Sequence, residues 1–266
     1  MTISWTASIN CFRTANTAWN IRGILKHKRK GLQTARFCDT LYIAPMKMEA
    51  SIGQQGVTMD TNNASVHSWE EVILIYNSAM KEMVTRLEIL SDEFQHTHSY
   101  NPIEHLKSRL KTPESIVKKL RRHGYESSIE NMVTYIKDIA GVRVICSFTS
   151  DVYTIAEAIC SQSDIEVISV KDYIKNPKPS GYRSLHLIIS VPIFLENEKK
   201  DVKVEVQLRT IAMDFWASLE HKLKYKKNLP EEKKDILSQE LIDCANESAL
   251  LDQRMQKVRN IILKGE

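Results

Sequence analysis

The chain predicts an α/β domain, a small mixed β-sheet flanked by helices, on three observations. Four short runs rich in β-branched residues have strand length: VRVICSF (142–148), IEVISV (165–170), LHLIISV (185–191) and VKVEVQL (202–208). Helical periods of three and four lie between and around them. A length of 266 residues with 42% hydrophobic content is enough to bury a core.

In chain order, residues 1–65 stand apart. Arg13, Arg22, Lys26, Lys28, Arg29, Lys30 and Arg36 all precede the first acid, Asp39, amid many Ser and Thr residues. That composition fits an organelle transit peptide, or an extension upstream of the working start, with Met46, Met48 or Met59 as the true beginning. On either reading the folded domain is expected to span residues 66–266, with long helices at both ends. Its first helix runs from Trp69 to about Phe94, where Val72, Ile73, Tyr76, Met80, Met83, Val84, Leu87 and Leu90 recur at helical spacing behind a Ser68 N-cap. Thr112-Pro113-Glu114 opens a second helix with a hydroxyl cap, proline at the first helical position and an acid at the positive end. It carries Ile116, Val117 and Leu120 inward and stops near Gly124. Short helices follow at 129–136 and 151–162, and longer ones at 211–225 and 231–262, the last with Ile236, Leu237, Leu241, Leu251, Met255 and Val258.

The last strand is the most informative. Period-two alternation puts Val202, Val204, Val206 and Leu208 on one face and Lys203, Glu205, Gln207 and Arg209 on the other. In a sheet flanked by helices, such a polar face lines a cleft. Asp138 stands at a helix end leading into the first strand, and with Glu205 it could hold a magnesium ion, which takes one or two carboxylates and substrate phosphate oxygens. The basic residues Arg109, Lys111, Lys118, Lys119, Arg121 and Arg122 gather around the second helix, whose N-terminal amides favour anions. There is no GxxxxGK[ST] loop, so side chains must grip any triphosphate. Glu220-His221 and His123 read as structural helix residues.

Other classes are disfavoured. A net charge of +4 does not announce a nucleic-acid binder. Cys11, Cys38, Cys146, Cys160 and Cys244 contain no CxxC pair, which argues against a disulfide framework or a structural zinc and fits a reducing compartment. No apolar run approaches membrane-spanning length.

Four segments together resemble one family: SRLKTPESI (108–116), KDIAGVRV (137–144), KPSGYRSLH (178–186) and VEVQLRTIAMDFWASLEH (204–221). From about Asn101 to Lys227 the chain is similar to the small alarmone synthetases, with RTIAMDFWASLEH nearest the RelP-type branch. These bacterial enzymes move pyrophosphate from ATP to the 3′-hydroxyl of GDP or GTP. The resemblance implies a nucleotidyltransferase-like synthetase fold and magnesium held by the catalytic pair Asp138 and Glu205. It implies that Arg109 and Arg143 sandwich adenine while Lys111 and Lys119 bind ATP phosphates. On the acceptor side it implies stacking of guanine on Tyr182, neutralisation of 5′-phosphates by Lys171, Lys178 and His186, Gln207 orienting its neighbours there, and guanine-edge recognition by Asp214, where some relatives carry Asn. It further implies a cytoplasmic homotetramer, and the bacterial character favours the upstream-extension reading of residues 1–65. No His-Asp dipeptide occurs, so synthesis without hydrolysis is expected. Two alternatives stay open: a relative that pyrophosphorylates the 3′ end of tRNA, and a catalytically inactive guanine-nucleotide or RNA sensor. The preferred acceptor among GDP, GTP and GMP is left open as well.

Overall fold

The computed structural model describes residues 68–98, 100–224 and 231–264. The expectations for residues 1–65 lie outside these. The described elements run α1 (Trp69–Thr97), β1 (Ile103–Leu110), α2 (Pro113–Arg122), α3 (Ile129–Tyr135), β2 (Ala140–Cys146), α4 (Thr149–Cys160), β3 (Glu166–Asp172), β4 (Leu185–Phe194), β5 (Lys199–Thr210), α5 (Ile211–Lys224) and α6 (Glu231–Lys264).

The predicted helix starts hold at atomic detail. The Ser68 hydroxyl accepts from the Glu71 amide at 3.2 Å, and the Thr112 hydroxyl accepts from the Ser115 amide at 3.4 Å, each satisfying a first-turn donor that the helix itself leaves open. Helix α2 ends where Gly124 takes a positive φ of 78°, a left-handed conformation that favours glycine.

The sheet has five strands in the order β1-β2-β5-β4-β3. Strand β2 runs parallel to β5 and the other neighbours are antiparallel, so the sheet is mixed, as expected. Val202, Val204, Val206 and Leu208 all point into a core shared with Val72, Tyr76, Met83 and Leu87 of α1 and with Val152, Ile155 and Ile159 of α4. One face of the sheet is therefore closed by apolar packing, and the odd-numbered residues of β5 are turned to the other. A second, smaller cluster joins Trp216 and Ala217 of α5 to Leu241 and Ala245 of α6, with Tyr182 and Leu237 packed against it.

Two features depart from the sequence reading. Strand β1 is not among the four runs the sequence marked as strands, because IEHLKSRL has few β-branched residues and, as an edge strand, buries Ile103 alone. And of the six apolar residues that define the period of α6, only Leu241 is buried. Ile236, Leu251, Met255 and Val258 are exposed.

Candidate active site

The sheet register builds the site. Cα partners align Lys107 of β1 with Arg143 of β2, Arg143 with Gln207 of β5, Gln207 with His186 of β4, and His186 with Lys171 of β3. Directly opposed residues share a face, so one row of five polar side chains crosses the whole sheet on the side away from the core. The next row begins Arg109, Gly141, Glu205. Above these rows lies a cleft of about 270 Å³ lined by Arg109, Asp138, Arg143, Glu205 and Gln207 together with Lys107, Ser108, Gly141 and Val142. Residues up to 100 positions apart in the chain thus meet because β2 and β5 are adjacent.

Both carboxylates of the cleft are held ionised. Burial pushes Asp138 up, but Lys111 Nζ at 2.5 Å and Lys119 Nζ at 2.8 Å outweigh it, and the carboxyl lies below its usual range. Burial likewise opposes ionisation of Glu205, and here the hydrogen bond and charge of His186, with Gln207 donating at 2.8 Å, win against it and against the nearby Asp138 charge. His186 Nδ1 is 3.2 Å from Glu205 Oε1. Among the described residues no cluster of three or more His, Cys, Asp and Glu could hold a metal. The pair Asp138 and Glu205 nonetheless suits magnesium, since both are ionised hard oxygen donors and that ion draws its remaining ligands from water and phosphate.

A second group of residues continues from His186. Its Nε2 lies 2.8 Å from Tyr182 Oη, which also accepts from Arg209 at 2.5 Å. The same guanidinium donates to Gln207 Oε1 at 2.9 Å and to Asp214 Oδ1 at 3.2 Å. Lys178 Nζ stands 4.6 Å from the ring centres of both Tyr173 and Tyr182, a cation–π arrangement that keeps positive charge over an aromatic pair. Tyr182, His186, Lys178, Gln207 and Glu205 are therefore one connected assembly. Lys171 is exposed at its rim, opposite His186 in the β3–β4 ladder.

Asp214, the proposed reader of guanine, is buried and already engaged. Its Oδ1 accepts from Arg143 at 3.0 Å and from Arg209, and its Oδ2 from Lys107 at 3.3 Å. Three of the roughly four acceptor positions of a carboxylate are thus used by cations, which leaves little capacity for a second ligand without an exchange of partners. Arg143 carries the opposite imbalance, because its Nε is buried without a hydrogen-bond partner among the described residues.

Two residues here, Lys107 and Tyr173, were missed by sequence reasoning, and a third was foreseen only in part. Lys107 was overlooked because β1 was not recognised as a strand, although the alternation Lys107, Arg109, Lys111 is itself a period-two signal. Tyr173 sits five residues before Lys178 in an irregular stretch, and no local pattern marks it. Arg209 was expected to orient its neighbours, and its bonds to Gln207, Tyr182 and Asp214 do so, but nothing in the strand pattern announced that it would be 4% exposed.

A mixed five-stranded sheet carrying this polar row belongs to a known class. Residues 108–229 match the family model described as a region found in RelA and SpoT proteins. The chain is 47% identical over 201 residues to the GTP pyrophosphokinase YwaC of Bacillus subtilis, covering 76% of this chain and 95% of the relative. Among solved structures, small alarmone synthetase 2 from Bacillus subtilis matches with a TM-score of 0.64 at 45% identity, over 73% of this chain and 99% of that one. Small alarmone synthetase 1 from the same organism, in a crystal structure with its product pppGpp, matches with a TM-score of 0.66 at 32% identity, over 73% and 98%. The chain belongs to the RelA/SpoT family and, within it, to the small alarmone synthetases, enzymes of the GTP pyrophosphokinase class.

Proposed function

We propose that the cleft transfers pyrophosphate from ATP to the 3′-hydroxyl of GDP or GTP, releasing AMP and making (p)ppGpp. The observation that carries this reading is a pair of ionised carboxylates, Asp138 and Glu205, flanked on one side by cations and on the other by a cation-covered aromatic pair. That is what joining two polyphosphate nucleotides across one reacting centre requires. A relative whose structure holds pppGpp supports the same chemistry.

Arg109 and Arg143 take the adenine between guanidinium planes, which stack well on π-faces. Lys111 and Lys119 meet the ATP phosphates. Tyr182 receives guanine, while Lys178, His186 and the rim residue Lys171 offset the 5′-phosphates of the acceptor. Gln207 holds Glu205 in orientation, and Asp214, with most of its acceptor positions filled by Lys107, Arg143 and Arg209, reaches the guanine edge only through an exchange of partners. Magnesium, held by Asp138 and Glu205, would neutralise charge on the transferred phosphates.

The acceptor oxygen attacks the β-phosphorus, the bond to the α–β bridging oxygen breaks, and AMP leaves with that oxygen. The hydroxyl proton passes to the Glu205 carboxylate. Glu205 lies below the usual carboxylate range and is a weak base for an alcohol, but in a loose phosphoryl-transfer transition state the attacking oxygen carries little bond formation, so the proton can leave late.

A homotetramer in the cytoplasm accompanies this reading. The exposed Ile236, Leu251, Met255, Val258, Ile261 and Ile262 give α6 more apolar surface than a monomer ordinarily leaves open, and closed symmetry is the usual solution. No described helix is long and apolar enough to cross a membrane. Light scattering at micromolar concentration tests the assembly, and a mass near one chain would exclude it. Incubation with labelled ATP and each of GDP, GTP and GMP, with uncharged tRNA in parallel, tests the activity. Labelled (p)ppGpp that then persists without added hydrolase is the expected result, whereas label on tRNA alone would move the chain to the tRNA-modifying branch and label on neither would favour an inactive sensor.

A further inference from the structure

Tyr182 stands on a turn that the body of the sheet does not hold by itself. Residues 173–184 form no strand or helix, and Gly181 takes a positive φ of 85°. What backs this turn is α6. A Cβ at Gly181 would lie 2.5 Å from Ala245 Cβ, so the glycine is needed both for its backbone conformation and for the approach of the helix. Next to Tyr182, Arg183 turns away from the cleft. Its NH1 donates to the Gly181 carbonyl at 3.0 Å and to the Ala245 carbonyl of α6 at 3.1 Å, and its NH2 to Asn246 Oδ1 at 3.2 Å. Tyr182 packs against the apolar cluster that Trp216 and Ala217 form with Leu241 and Ala245. Trp216 is itself pinned to α6, its indole donating to the Leu241 carbonyl at 2.7 Å.

We infer that α6 is the positioning element of the acceptor site, with Ala245 and Arg183 setting where Tyr182 stands. The inference rests on the reading above that Tyr182 receives the acceptor base. Neither residue lines the cleft, and both act through Tyr182. The ATP side is built on β1, β2 and α2, none of which this contact involves. A disturbance of α6 at the turn therefore moves acceptor affinity and leaves ATP affinity alone.

The test separates the two nucleotides. In the full chain, Ala245→Val and Arg183→Met should raise the KM for GDP on the order of tenfold, since a shift of about 1 Å in a positioning group has effects of that size or larger. The KM for ATP should stay within about twofold, with circular dichroism and melting behaviour showing a folded protein. Asn246→Ala removes one bond at the exposed end of Arg183 without touching the packing, and should give a smaller rise, roughly twofold to threefold, again for GDP alone. Equal rises for both nucleotides would mean general damage and overturn the inference, as would an unchanged GDP KM in folded Arg183→Met. If the two larger changes prevent folding, Asn246→Ala decides by the same split. Failure of the wild type to turn over ATP and GDP would instead strike the functional reading, and is distinguished by running it first.

Discussion

Arg143 and Arg209 bond the same oxygen of Asp214, at 3.0 and 3.2 Å, yet they serve different ends. Arg209 has a side chain 5% exposed and spends its donors on Ser184, Tyr182, Gln207 and Asp214. Arg143 is 29% exposed, faces the cleft and keeps a buried Nε unsatisfied. The first is spent on structure and the second retains capacity for a ligand. The same contrast runs through the flanks to which they belong. The flank assigned to the acceptor is backed by a second apolar cluster and a buried guanidinium. The flank assigned to ATP is built on β1, β2 and α2, and its two lysines, Lys111 and Lys119, share the single carboxylate of Asp138. What tells the two arginines apart is how many of their donors are already engaged within the protein.

The largest expected effect falls between the flanks. Glu205→Gln is nearly isosteric but removes a metal ligand and proton acceptor, so product formation should drop by roughly a thousandfold or more while the melting curve stays near wild type. Undiminished synthesis would take Glu205 out of the mechanism. Next, Arg209→Met removes buried hydrogen bonds to Asp214, Gln207, Tyr182 and Ser184, while Asp214 keeps Arg143 and Lys107, so it should cost about 1–3 kcal/mol in denaturant unfolding. If it costs no more than a surface change, the contrast between the two arginines fails. Tyr182→Ala should weaken GDP binding by about one to two orders of magnitude, as base–aromatic stacking is worth about 1–3 kcal/mol, with ATP binding little altered. Equal losses of both in calorimetry would reverse the assignment of the flanks.

The ionisation of Asp138 sharpens the comparison on the ATP side. Its folded value is depressed, so its pairing with Lys111 and Lys119 stabilises fully above the unfolded carboxyl value of about 4, and the benefit is lost as pH falls through the lower folded value. The melting-temperature gap between wild type and Asp138→Asn should therefore begin to narrow once pH falls below the unfolded carboxyl value of about 4 and keep narrowing towards the lower folded value. A gap that persists there would mean the ion pairs are not its source. Smallest of all, Lys107→Met breaks an ion pair whose lysine is 58% exposed, and should change stability by no more than about 1 kcal/mol. A modest rise in the KM for ATP would mark Lys107 as part of that flank.

Much of this was legible beforehand because it is local. Strand β5 announced itself through strict alternation, and its two faces became core and cleft as the pattern required. The caps Ser68 and Thr112 follow from side-chain chemistry within three residues. The resemblance named Asp138, Tyr182, His186 and Glu205; in the structure Tyr182, His186 and Glu205 are bonded into one group with Gln207 and Arg209, while Asp138, paired with Lys111 and Lys119, lines the same cleft as Glu205. Strand β1 escaped because an edge strand buries little and so leaves a weak hydrophobic signature. The exposure of α6 escaped because a helical period reports that one side is apolar and not what covers it.

By itself, then, the order of residues determined where most of the chain becomes strand or helix and which face of each element is apolar, since these depend on neighbours a few positions away. Tertiary structure decided what no local pattern holds. Pairing of β2 with β5 drew Lys107, Arg143, Gln207, His186 and Lys171 into one row, and the approach of Ala245 to Gly181 set α6 behind Tyr182. Register and helix docking are chosen by burial summed over the whole core, and that sum exists only once distant segments meet.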